Sequence, residues 1–148
     1  MLIDQIRADL TAAMKARDTL RQRTLRSAIA AVQEAQVAGD AATTLDDDGV
    51  QAVLKSQVKR RIDAAEAFEA GGATDRAADE RAEIGVLEAY LPAALTSDEL
   101  EAIVSDVFAT HGFASKADMG TAMKAVNTEV AGRADGRAVA DLVKSRLA

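Results

Sequence analysis

The chain reads as all-α, and three observations carry that reading. Alanine, the best helix former, supplies 34 of the 148 residues. Aromatic residues make up 3% of the chain and tryptophan is absent, so the bulky side chains that strands prefer are scarce. Proline, which interrupts helices, occurs once, at Pro92.

Each element can be justified from its periodicity and its ends. Ile3, Ile6, Leu10 and Met14 recur at helical spacing and predict a helix from Leu2 to about Ala16. Asp18 can cap a second helix reaching about Ala38, with Leu25, Ala28, Ile29 and Val32 inward, and Gly39 fits the left-handed position after its end. Thr44 can cap a third helix, with the Asp47 carboxylate at its positive end. Its inner face is Val50, Val53, Leu54, Val58, Ile62, Ala65 and Phe68, and Gly71-Gly72 stops it. Thr74 can cap a fourth helix that ends at Leu91-Pro92, because the residue before proline avoids helical geometry.

Thr96-Ser97-Asp98-Glu99 is a capping box ahead of the apolar run Leu100, Ile103, Val104, Val107 and Phe108, and Gly112 closes that helix. Ser115 with Asp118 opens the next helix, whose inner residues are Met119, Met123, Val126 and Val130 and which Gly132 ends. Asp135 caps the last helix, with Val139, Leu142, Val143 and Leu147 inward. The expected layout is a four-helix N-terminal subdomain over 1–92 and a three-helix C-terminal subdomain over 96–148.

Charge and composition bound the function. The formal net charge is −6, which excludes a generic nucleic-acid coat, since affinity for phosphate backbones comes from Lys and Arg. The charge is uneven. Residues 1–33 hold six Lys/Arg against three Asp/Glu, residues 34–95 hold six against thirteen, and residues 111–148 hold six against four. Two basic sets stand out: Lys15, Arg17, Arg21, Arg23 and Arg26 near the first turnaround, and Lys116, Lys124, Arg133, Arg137 and Lys144 around the glycine-marked turns. Each set reads either as a solvated helix face or as a phosphate-contact surface. The absence of cysteine removes disulfides, thiol nucleophiles and thiolate metal sites, and fits a reducing cytoplasm. The N-terminus has no continuous apolar core of the kind a secretory signal carries, and no run is long enough to span a bilayer.

No catalytic constellation is legible. His111, the one histidine, sits at a helix C-terminus, where a cation is favoured, and has no Ser/His/Asp arrangement around it. Asp46-Asp47-Asp48 reads as an acidic helix start rather than a metal site, because no alternating calcium-loop spacing follows. Gly71-Gly72 matches no phosphate-cradling loop, and Glu66 and Glu69 are not followed by an inward His. Neither a catalytic, a metal nor a cofactor-binding residue is assigned.

Three ordered segments carry a family resemblance: Glu88-Ala89-Tyr90-Leu91-Pro92-Ala93-Ala94-Leu95-Thr96, Ser115-Lys116-Ala117-Asp118-Met119-Gly120 and Gly132-Arg133-Ala134-Asp135-Gly136-Arg137. With Met14-Lys15-Ala16-Arg17-Asp18, Leu25-Arg26, Val53-Leu54-Lys55 and Val58-Lys59-Arg60-Arg61 in the N-terminal half, the chain resembles the GatB/YqeY family along its whole length. The resemblance implies an accessory protein similar to the helical tail of GatB, a subunit of the glutamine-dependent tRNA amidotransferase, where the tail is understood to grip tRNA. It also brings the family label of a carbon–nitrogen ligase with glutamine as amido-N-donor. The residues show neither an amidase nucleophile nor an ATP–magnesium site, so such chemistry is expected on other subunits. The expected function is tRNA binding without catalysis, with Lys116, Lys124, Arg133, Arg137 and Lys144 as contact residues. The alternative is a module that docks on a partner enzyme or on another copy of itself.

Overall fold

A computed structural model describes all 148 residues and bears out the all-α reading. It contains α1 (Leu2–Lys15), α2 (Thr19–Val37), α3 (Asp47–Ala70), α4 (Thr74–Glu88), α5 (Ser97–His111), a 3-10 turn (Lys116–Asp118), α6 (Met119–Val130) and α7 (Gly136–Arg146), and no strand. The chain divides into two compact units, Met1–Pro92 and Ala93–Ala148.

In the first unit, α1 to α4 close on a core of Ile3, Ile6, Leu25, Val32, Val50, Leu54, Ile84, Leu87 and Tyr90 with their neighbours. The inner faces follow the helical period, with one departure on α1. Met14 is half exposed, whereas Ala13 is buried. The turn into α2 explains it. The Ala13 carbonyl accepts the Asp18 N–H at 2.9 Å and the Gln22 amide at 3.3 Å, so the chain folds back across Ala13 and leaves Met14 at the edge of the stripe. Asp18 is the N-cap of α2 and accepts the Arg21 N–H at 3.1 Å.

The helix ends differ from expectation in four places. Gly39 is not left-handed. The α2 C-terminus ends on Ala38 in right-handed geometry, and the Thr43 N–H takes the Gln36 carbonyl at 2.8 Å, so no glycine cap is needed. The N-cap of α3 is Asp46 rather than Thr44. Its carboxylate accepts the Gly49 N–H at 2.8 Å, a charge-assisted bond that a hydroxyl cannot match. Asp47 accepts the Leu2 N–H at 2.8 Å and so also serves the positive end of α1. Thr74 is the first residue of α4 and not its cap. The Ala73 N–H closes the α3–α4 turn onto Phe68 O at 2.8 Å, with Gly72 at φ +78°. Finally, α4 stops at Glu88, and Tyr90 and Leu91 continue in single turns onto Leu87 and Glu88.

Two polar clasps tie the first unit together. Glu83 on α4, 14% exposed, receives Arg23 of α2 at 2.8 Å and Arg61 of α3 at 2.9 Å. Arg61 also reaches the Gln57 carbonyl and side chain and the Ser27 hydroxyl. Burial alone would raise the Glu83 carboxyl, but the hydrogen bonds and charges of Arg61 and Arg23 hold it below its ordinary value. The second clasp is Tyr90, whose hydroxyl donates to Asp9 of α1 at 2.5 Å. Burial pushes the phenol up and the Asp9 carboxylate pushes it further, against an opposing charge from Arg21, so Tyr90 stays a donor at neutral pH.

The second unit packs α5, α6 and α7 around Leu100, Val104, Val107, Ala122, Val126, Val130, Val139 and Val143. Thr96 and Glu99 form the expected capping box, and Gly112 ends α5 at φ +70°. Met119 and Met123 are half-buried against this core. The Ser115–Asp118 start is a 3-10 turn, with α6 beginning at Met119. At the other end of α6 the left-handed geometry begins at Ala131 (φ +51°), one residue before Gly132 (φ +75°).

Tyr90→Phe should leave the Asp9 carboxylate half-buried without its donor and lower stability by about 1–3 kcal/mol in urea unfolding. Arg17 adopts φ +55° between α1 and α2, where a side chain costs about 1–2 kcal/mol that glycine avoids. Glycine's greater freedom in the unfolded chain returns part of that gain. Arg17→Gly should therefore raise the thermal midpoint, with a net gain of about 0.5–1 kcal/mol.

Candidate functional site

The second unit carries the basic residues singled out from the sequence, and its turns place each one. Ala114 and Ser115 donate their N–H groups to the Asp118 carboxylate at 2.9 and 3.1 Å. This bracket fixes the turn that displays Lys116, which is exposed. The two backbone N–H groups hold the Asp118 carboxyl below the usual carboxylate range. Lys124, on the outer side of α6, is exposed and lines a groove of about 500 Å³ between α5 and α6. The groove has Ile103, Val107 and Ala125 along its apolar part and Asp106 and Glu129 beside Lys124.

Arg133 follows the two left-handed residues after α6. Its backbone carbonyl accepts the Leu95 N–H at 2.8 Å and its Nε donates to the Ala93 carbonyl at 3.0 Å. It is half-buried and holds the 93–95 segment onto the α6–α7 turn. Arg137 and Lys144 are exposed on α7. Seven residues apart, they lie on one side of the helix two turns from each other, and Asp141 falls between them on that side.

The structure thus brings Arg137 and Lys144 into line. It sets Lys116 on its own turn and Lys124 in a groove that Asp106 and Glu129 also line, and it commits part of Arg133 to the backbone. All five ion pairs of the protein lie within residues 1–83. None of the second unit's cations is neutralised by a partner carboxylate. Arg146 reaches the Ser105 hydroxyl at 2.9 Å.

His111 is a structural residue of the α5 C-terminus. Its Nδ1 lies 3.0 Å from the Val107 carbonyl, which fixes that nitrogen as the donor. Its ring stacks on Phe113 with centroids 5.1 Å apart, and Phe113 meets Phe108 edge-on. Around Asp46-Asp47-Asp48 the carboxylates of Asp46 and Asp47 accept backbone N–H groups, and no three His, Cys, Asp or Glu side chains converge as a metal site. No helix is long and apolar enough to cross a membrane.

The family model of Yqey-like proteins matches residues 3–147. The chain belongs to the YqeY-like family. Among curated proteins, none matches it.

Two of the displayed cations stand next to capping residues. Asp118 brackets the Lys116 turn, and Asp135 caps α7 by accepting the Ala138 N–H at 3.4 Å, ahead of Arg137. Sequence reasoning missed the α5–α6 groove, because its lining is spread over two helices. It also missed the role of Arg133 in its own turn, which no local spacing announces.

The Asp118 bracket predicts a pH signature. A carboxyl lowered by folding stabilises the folded state above its unfolded value of about 3.9, and that stability is lost as pH falls through the lower folded value. The amide shifts of Ala114 and Ser115 in NMR should therefore titrate with a midpoint below about 3.9, and Asp118→Ala should abolish the transition.

Proposed function

We propose that this YqeY-like protein is a cytoplasmic, non-catalytic accessory module that binds structured RNA, tRNA above all, through the basic residues of its second unit. The observation that carries the reading is electrostatic. Lys116, Lys124, Arg137 and Lys144 are exposed on ordered turns and helices, and none is ion-paired. Free cations on a rigid scaffold can release counterions from phosphates without first breaking internal pairs. Structured RNA presents its backbone as a shape, and short helices joined by fixed turns suit such a target. The likeness of the motif segments to the helical tail of GatB agrees with this reading and links the module to glutamine-dependent amidotransferase complexes. The ligase chemistry of the family label then resides on partner chains. Arg133 contributes through its free guanidinium nitrogens while its Nε holds the turn.

A second reading, docking on a partner enzyme or on another copy of the chain, is favoured by the α5–α6 groove and its apolar Ile103, Val107 and Ala125. Under that reading Ile103→Glu would abolish a complex and leave RNA affinity unchanged.

Fluorescence anisotropy with bulk uncharged tRNA tests the first reading. The full chain should bind at micromolar concentration, with log affinity falling linearly with log salt. Lys116→Ala/Arg137→Ala/Lys144→Ala should weaken binding about tenfold or more and flatten the salt slope by about two units. Absence of binding at micromolar protein, or an unchanged slope in the variant, defeats the reading.

A further inference from the structure

We propose that the corner between α1 and α2, formed by Lys15, Arg17 and Arg21, is a second phosphate-contact surface for structured RNA, carried by the first unit. The proposal rests on the RNA-binding reading above and extends it to residues outside the second unit.

Residues 1–33 contain three carboxylates, and each is already committed. Asp4 lies 3.8 Å from Arg7 and 4.0 Å from the terminal amine. Asp9 accepts the Tyr90 hydroxyl. Asp18 accepts the Arg21 N–H as the cap of α2. The cations divide. Arg23 is spent on Glu83 and Arg7 on Asp4, while Lys15, Arg17, Arg21 and Arg26 are exposed and form no ion pair. Three of these four stand at the corner, where the carboxylate of Asp18 is taken up by its capping bond.

One further feature runs against the ordinary rules for a mere solvated turn. Arg17 sits at φ +55°, a conformation that glycine adopts freely and a long side chain does not. A long charged side chain kept where the backbone disfavours it is the pattern of a site whose local cost is offset by function. Two of the three cations are arginines, which grip phosphate oxygens in pairs. Three cations are fewer than the roughly four to eight that anchor a segment to an anionic membrane, and the corner has no aromatic side chain. RNA phosphate is therefore the occupant that fits.

Arg17→Gly in the full chain separates function from structure, because the substitution relieves strain. It should raise the thermal midpoint and yet weaken tRNA binding several-fold, with the salt slope reduced by about 0.7–0.9 for the lost contact. Lys15→Ala/Arg17→Gly/Arg21→Ala should lose about two units of slope or more while circular dichroism remains helical. Phosphatidylcholine–phosphatidylserine vesicles and polyglutamate serve as competing polyanions. Binding of these in place of tRNA, lost in the triple variant, overturns the proposal. It is likewise overturned if the corner variants bind tRNA as tightly and with the same slope as the unsubstituted chain, while the Lys116/Arg137/Lys144 variant does not. In that outcome the second unit's RNA reading stands alone. If the unsubstituted chain does not bind tRNA, both readings fail together.

Discussion

Glu83 is the point on which the first unit depends. Its carboxylate lies within the wall between α2, α3 and α4 and holds an arginine from each of the other two helices. Arg61 is only 12% exposed, so its charge has left most of its water behind. Removing one partner from such a cluster strands a poorly solvated charge, which costs more than the pair contributes when intact. The core of those helices is aliphatic, with Leu25, Val32, Val50, Leu54, Ile84 and Leu87 in it, and the unit has no tryptophan. Burial of aliphatic surface is favourable but non-directional. The Glu83 cluster and the Tyr90–Asp9 bond therefore supply what the core leaves underspecified, namely which helix faces which.

Much of this was legible locally. The capping box at Thr96, the Asp18 and Asp135 caps and the Gly112 end each need only three or four consecutive residues, and the structure contains all of them. What was not legible involves competition or distance. Around 44–47 a threonine and two aspartates could each cap α3, and spacing does not say that Asp46 takes α3 while Asp47 turns to α1. Glu83 is one of thirteen acids in its segment, and its arginines lie 60 and 22 residues away. The left-handed Arg17 was hidden because the sequence offers no glycine there to announce it. Of the candidate site, the identity of the cations was readable and their surroundings were not. Lys124 shares its groove with acids that belong to another turn and another helix, and Arg133 is partly occupied by a carbonyl 40 residues earlier.

The two units use charge differently. In the first, Glu83 and Glu69 pair with arginines across helices and hold the packing together, while the cations of the α1–α2 corner stay free. In the second no ion pair forms, and Glu99, Asp118 and Asp135 cap turns or helices while Lys116, Arg137 and Lys144 stay free. Shape and surface potential are there set by different residues. Asp118 and Asp135 show this most directly, since each fixes a turn and each precedes or follows a displayed cation by only two residues.

The net charge of −6 then takes on a role within the RNA reading. Exposed charges are screened beyond about 8 Å at physiological salt, so a phosphate held against the Arg17 corner or the α7 stripe feels mainly its nearest neighbours. The exposed acids of α4, Asp75, Asp79 and Glu88, act at the same short range, but by repulsion. A flexible polyanion that wrapped the protein would meet those acids and be penalised, whereas a folded RNA that presents phosphates only at the basic turns would not. Specificity of this kind needs repulsion as much as attraction. An acidic chain with a few uncommitted cations is thus better suited to a shaped nucleic acid than a uniformly basic one, which would bind any polyanion alike.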